Sequence, residues 1–154
     1  MMSQVFVSGH KSPDTDSIAA ALSYSYLKRR LGMDAVAVRA GEINKESRFA
    51  LDYFNLEEPI LVTSVERKNP EDEKQKVILV DHNESKQTID GMDDAEVLEI
   101  IDHHRFGDFE SENPIFILVR PVGCVNTVIY GLYKTNHIKP SREIAGIMLS
   151  AIIS

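Results

Sequence analysis

The chain has 154 residues, 43% of them apolar, and a formal net charge of −7. That is enough for one globular domain with its own core, and it is the wrong sign for general binding to nucleic acid or a membrane surface. Its single cysteine, Cys124, excludes an internal disulfide framework and suits a reducing, cytoplasmic compartment.

In chain order, Val5–Ser8 is a short β-type run closed by Gly9. Asp14, Thr15, Asp16 and Ser17 are all candidate N-caps for the helical string IAAALSYSYLKRRLG, which has a basic last turn and Gly32 as its stop. Ala35–Val38 is a second strand. Lys45–Asn55 is a second helix, with Phe49 and Tyr53 on one face. Pro59–Val62 is a third strand, and ERKNPEDEKQK is a solvated connector. Val77–Val80, ending at Asp81, and Val97–Ile101, ending at Asp102, are apolar strands, and Ile115–Val119 follows. Two helices close the chain, over 123–135 and from Ser141 onward, the second started by Pro140-Ser141. No segment has the pattern of a signal peptide, and IAGIMLSAII is about half the length a bilayer-spanning helix needs. The chain stops at Ser154 inside that run without a stop signal, so residues 1–154 are expected to be the front part of a longer protein.

Strands without polar alternation are buried on both faces. Their alternation with helices predicts an α/β domain: a mostly parallel central sheet with helices on both faces. Ligands of such sheets bind beyond the carboxyl ends of the strands. Three polar clusters fall there: His10–Asp16, Asp81-His82, and Asp102-His103-His104. Each has a bland alternative, namely helix capping for Asp14 and Asp16, a strand-end turn for Asp81-His82-Asn83, and a polar turn for Asp102-His103-His104. Together, carboxylates converging on one sheet edge with little nearby positive charge favour neutralisation by cations. Imidazole and carboxylate without thiolate suit Mn, Mg, Co or Zn, and five or more ligands suit two ions.

The series GHxxPDTDS, VDHNE, DHHR, RPVGC and IAGIMLSAIIS, in this order, resembles the DHH phosphoesterase superfamily with its Rossmann-like DHH domain. Within it the series is most similar to the family II, manganese-dependent inorganic pyrophosphatases. The resemblance implies that His10 and Asp14 hold one metal, that Asp16 and His103 hold a second, and that Asp81 bridges the two. It implies that His104 contacts the substrate and that Asp102 orients the imidazoles. It further implies two Mn²⁺ per site, with Co²⁺ or Mg²⁺ as substitutes, and an additional Mg²⁺ arriving with pyrophosphate. The nucleophile would be a bridging hydroxide, and the protein a homodimer. A metal-binding aspartate after SAIIS and a second, DHHA2-type domain that closes over the substrate would lie beyond Ser154, so hydrolysis by this chain alone is expected to be weak or absent.

Departures are Ser12, where the family commonly has asparagine, and Val125-Asn126-Thr127, where it often has smaller or hydroxylated residues; the nucleotide-sensing insertion of some relatives is missing. The alternatives are another DHH phosphoesterase (an oligonucleotide or cyclic-dinucleotide exonuclease, or an exopolyphosphatase) and a non-enzymatic metal- or anion-binding module. Cys124 is expected to be a small buried residue, His137 a surface one, and Tyr24, Tyr26, Phe49 and Tyr53 core or half-core. Lys11, Arg105 and Arg120 are open between phosphate contact and structural ion pair.

Overall fold

In the computed structural model, which describes residues 3–154, the strands are β1 Val5–Ser8, β2 Ala35–Arg39, β3 Ile60–Leu61, β4 Lys76–Val80, β5 Glu96–Asp102 and β6 Phe116–Val119. The α-helices are α1 Thr15–Arg30, α2 Lys45–Tyr53, α3 Val125–Thr135 and α4 Arg142–Ile153, and single 3₁₀ turns occupy Ser85–Gln87 and Met92–Asp94. The strands form one sheet in the order β3-β2-β1-β4-β5-β6, every pair parallel. The order runs outward in one direction from β1 and in the other from β4, so the topological switch lies between these two strands.

Right-handed crossovers fix what covers each face. Connections from β1 to β3 fall on one side of the sheet, and those from β4 to β6 on the other. On the first side Val5, Val7, Ile78, Val80 and Ile101 pack against Ala20, Tyr24 and Leu27 of α1, Ile129 and Tyr133 of α3, and Ile144 and Met148 of α4. There α2 forms an outer layer, with Ala50 and Leu51 against Ile18 and Ala19 of α1 and Ile147 and Ala151 of α4. On the second side Val38, Val77, Leu79 and Ile100 are covered by Val65, Ile89, Met92, Phe109 and Ile115. These come from loops and 3₁₀ turns. The α/β class and the parallel sheet are as expected; the four α-helices lie on the first side, and among the described residues the connections on the second side carry only single 3₁₀ turns.

Two further expectations change. The third strand shrinks from Pro59–Val62 to two exposed residues at the sheet edge. Phe49 and Tyr53 are 71% and 72% exposed instead of core, because α2 turns Ser47, Ala50 and Leu51 inward. Their rings stack on each other outside, 6.2 Å between centroids. Tyr24 is buried and Tyr26 half-buried, as expected. Among the described residues, no helix is long and apolar enough to cross a membrane.

At the start of α1 four candidates competed for the cap. Asp14 takes it, its Oδ1 accepting the Ser17 N–H at 2.9 Å. The entry to this helix is tight. A Cβ on Gly9 would stand 2.6 Å from Ser17 Oγ, so only glycine lets β1 turn this close to α1.

Candidate metal centre

Ser8 pairs in register with Leu79, and Val80 with Ile101. The loop after β1 and the residues ending β4 and β5 are therefore neighbours on one sheet edge. Asp81, 1% exposed, stands at the centre. It follows β4 directly with φ 63°, the left-handed region that aspartate and asparagine tolerate better than other non-glycine residues. Its two oxygens face different partners. Oδ2 accepts from Ser17 Oγ at 3.0 Å and lies 3.3 Å from His10 Nε2. Oδ1 lies 2.9 Å from His103 Nε2 and 3.8 Å from His104 Nδ1.

Both facing imidazoles are pinned from behind. His10 Nδ1 is 2.6 Å from the Lys11 carbonyl, and His103 Nδ1 is 2.7 Å from that of Val122. A carbonyl only accepts, so each Nδ1 carries the proton and each Nε2 is the atom presented to Asp81. This is the tautomer and anchoring that metal-ligating histidines use. Without a cation, protons fill the gap. Burial favours neutral His10, but its contacts with Asp14 and Asp81 and the Lys11 carbonyl outweigh that and push its pKa up to about 10. For His103 the Asp81 contact overcomes burial and raises it to about 9. Burial opposes ionisation of Asp81, yet the two imidazoles and Ser17 hold its carboxyl well below the usual range.

The remaining carboxylates have helix duties as well. Asp14, while capping α1, lies 3.6 Å from His10 Nε2, and that contact lowers its pKa. Asp16 caps a different helix: its Oδ2 accepts the Val125 N–H at 2.9 Å and its Oδ1 the Asn126 N–H at 3.3 Å, both at the start of α3. The same Oδ2 is 3.4 Å from His103 Nε2. Burial and the charge of Asp81 raise the Asp16 pKa, against the donors around it. Asp102 is fully buried. Its Oδ1 accepts from the N–H of His103 at 2.7 Å and from His104 Nδ1 at 2.8 Å, and its Oδ2 from Asn83 Nδ2 at 2.7 Å. It braces both histidines.

Seven residues singled out in the sequence thus share one site. His10, Asp14 and Asp81 can place ligand atoms within 4.8 Å of one another, as can Asp81, Asp102, His103 and His104, so Asp81 belongs to both groups. Asp16 is in neither group, but it adjoins the second through His103. The donors are carboxylate oxygens and imidazole nitrogens with no free thiolate, which fits a hard or borderline divalent cation. Burial keeps Cys124 protonated, its pKa pushed up to about 12, and its thiol donates to Asp16 Oδ1 at 2.7 Å. It is no nucleophile.

Sequence reasoning passed over Ser17 as a link between His10 and Asp81, although its hydroxyl also accepts the His10 N–H at 3.2 Å. It read Asn83 only as part of a strand-end turn, and Asn126 only as a departure from the family pattern that could tune the backbone contacts of the site. What the sequence did not show is the partner, since Asn126 lies 110 positions from the Asp16 it holds. His82 stays out of the site: fully buried, its Nδ1 meets the Val80 carbonyl at 2.9 Å, and burial lowers its pKa to about 4. Lys11 pairs with Asp90 at 2.6 Å and Arg105 with Glu84 at 3.3 Å, which favours the ion-pair alternative for both. Arg120 and His137 are exposed.

Comparison with known proteins gives the following. The model of the DHH family, N-terminal domain, matches residues 4–152. A protein of Exiguobacterium sp. carrying the inferred name manganese-dependent inorganic pyrophosphatase is 50% identical over 153 residues, 99% of this chain and 48% of that protein. One from Bacillus licheniformis with the same inferred name is 51% identical over the same shares. A crystal structure from Methanococcus jannaschii, assigned to the family II inorganic pyrophosphatases, matches with TM-score 0.84 and 38% identity over 97% of this chain and 48% of that one. An exopolyphosphatase-related protein from Bacteroides fragilis, at TM-score 0.68 and 17% identity over 97% of this chain and 45% of that one, shares the fold. The chain spans about half the length of the curated relatives it matches.

Proposed function

The chain belongs to the DHH family, and from that premise we propose that it is the metal-holding half of a manganese-dependent inorganic pyrophosphatase. The observation that carries the reading is the division of Asp81: one oxygen toward His10, the other toward His103. A carboxylate placed so is suited to bridge two cations, one held with His10 and Asp14, the other with Asp16 and His103. Manganese-class ions there, with a further Mg²⁺ on the substrate, would neutralise phosphate oxygens and acidify the attacking water. The chain's own groups do the positioning. Asp102 holds His104 by Nδ1 and leaves Nε2, on a side chain 47% exposed, for an oxygen of pyrophosphate. The Lys11 and Val122 carbonyls keep both Nε2 atoms aimed at Asp81.

Relatives about twice as long support a second, DHHA2-type domain that supplies cationic groups to the substrate. The acidic charge weighs against nucleic acid as substrate, and the single cysteine suits the cytoplasm. A homodimer is part of the proposal. Edge strand β6 carries Phe116-Ile117-Leu118-Val119 without a charge, and Phe116 and Ile117 are 49% and 43% exposed. An unguarded apolar edge suits pairing with a second copy; sedimentation of the chain as a monomer would remove this part.

The test measures phosphate release from pyrophosphate in Mn²⁺ by this chain beside a version extended to the relatives' length, with a dinucleotide as competitor. The extended protein is expected to cleave pyrophosphate and this chain to do so weakly or not at all. Preference for the dinucleotide would instead make it another DHH phosphoesterase. Metal binding without cleavage of either substrate by the extended protein would make it a binding module. Equal turnover by both lengths would refute the need for a second domain.

A further inference from the structure

The Asp16 carboxylate is surrounded unevenly. Its Oδ1 takes three donors: the Cys124 thiol at 2.7 Å, the Asn126 backbone N–H at 3.3 Å and Asn126 Nδ2 at 2.6 Å. Its Oδ2 takes only the Val125 N–H at 2.9 Å and lies 3.4 Å from His103 Nε2. Three donors on one oxygen fix the rotation of the carboxylate and leave the other oxygen facing the site.

The amide of Asn126 is itself fully engaged. Nδ2 also donates to the Asp16 carbonyl at 3.1 Å, so both its hydrogens go to Asp16, and Oδ1 accepts from Ser23 Oγ at 3.0 Å. Asn126 and Ser23 are both 0% exposed. An amide has two chemically different ends, and the Asp16 carbonyl and carboxylate, which only accept, require its NH2 end; the Ser23 hydroxyl then donates to the other end and braces it there. If the amide flipped, its oxygen would abut the anionic oxygen of Asp16, a contact with no proton to share.

We propose that Asn126, braced by the Ser23 hydroxyl, is a positioning residue that aims Asp16 Oδ2 at His103 and so sets the cation affinity of the Asp16–Asp81–His103 subsite without touching the cation. The inference rests on the dinuclear reading above. Groups that orient a ligand without binding the metal change affinity by about 10–100-fold when removed, and Asn126 makes two of the four donor contacts to the Asp16 carboxylate.

The test counts Mn²⁺ bound by the full chain, following loss of the free-ion electron paramagnetic resonance signal, with melting in chelator as a check on folding. Two sites are expected in the parent. Asn126→Leu, close in shape but without donors, is expected to weaken one site at least about tenfold and leave the His10–Asp14–Asp81 site unchanged. Ser23→Ala is expected to weaken the same site less, and to add nothing in the Asn126→Leu background. That lack of additivity separates a relay through the amide from ordinary loss of packing, which would lower melting and add across the two variants. If Asn126→Leu does not fold, Ser23→Ala alone decides, by weakening one site or neither. Two unchanged sites in the variants would overturn the inference while leaving the dinuclear reading intact; a parent that takes up no Mn²⁺ would overturn both.

Discussion

Asp81 Oδ1 lies 2.9 Å from His103 Nε2, and the other ring nitrogen of His103 is already engaged by the Val122 carbonyl. In the metal-free chain the short contact therefore needs a proton on Nε2, and the same holds for His10 on the other side of Asp81. Both histidines have folded pKa values above the ordinary 6.5, about 10 for His10 and about 9 for His103. Their contribution to stability is fully present below pH 6.5 and is lost as pH rises through those values. Asp81 and Asp14, both held low, act on the acid side: their contribution is present above their ordinary 3.8 and lost as pH falls through the depressed values. In chelator the melting temperature should decline from about pH 6 to about pH 10. A flat profile over that range would remove the paired-proton account of the empty site.

A divalent cation must displace these same protons. Affinity for Mn²⁺ should therefore rise with pH until His10 and His103 have titrated, at about 9 to 10. Binding near neutrality should release protons, up to about two per chain with both subsites filled. Calorimetry in buffers of different ionisation heat reads the number directly, and no release would mean that the ions bind elsewhere.

Gly9→Ala tests the junction that brings β1 and α1 together. The added methyl would meet Ser17 Oγ at 2.6 Å and Ser17 Cβ at 2.8 Å. Ser17 cannot retreat freely, since its hydroxyl bridges the His10 N–H and Asp81 Oδ2. Overpacking of this kind costs about 1–3 kcal/mol. Denaturant unfolding should show that loss, accompanied by weaker Mn²⁺ binding at the His10 subsite.

The centre was legible in the sequence because its residues stand at or just after apolar strands, where a parallel sheet collects ligands. His10, Asp81 and His103 follow β1, β4 and β5 within two residues. What escaped was decided by contacts far apart in the chain. Asp16 sits in the first turn of α1 and looks like a cap for it, yet it caps α3, which no local pattern encodes. Phe49 and Tyr53, four apart, mark a helix face, but composition does not say which face α1 and α4 will cover; the smaller Ala50 and Leu51 fit between them.

The thiol of Cys124 serves as a hydrogen-bond donor to Asp16. With 7% exposure and a pKa near 12 it should resist alkylating reagents in the native state. Cys124→Ser keeps a donor and should retain Mn²⁺ binding, while Cys124→Ala removes one of the three donors to Asp16 Oδ1. Cys124→Ala should bind more weakly in one subsite only. Rapid modification of the native thiol, or equal binding by the serine and alanine variants, would contradict the assignment.

The sharpest test of the shared carboxylate is Asp81→Asn beside Asp14→Asn. Asparagine is suited to position 81, since it tolerates the φ of 63° that would strain alanine there, and its side-chain oxygen can still accept from Ser17. What it loses is the charge between His10 and His103. If Asp81 belongs to both subsites, Asp81→Asn should abolish Mn²⁺ uptake at both, whereas Asp14→Asn, on the exposed side of His10, should weaken only one. The metal-free Asp81→Asn chain should also show a shallower melting decline at alkaline pH, because both imidazoles lose their charged partner at Asp81 and keep only Asp14 and Asp16. Loss of a single subsite in both variants would mean that the two oxygens of Asp81 serve one cation, and the dinuclear reading would fail on its central atom.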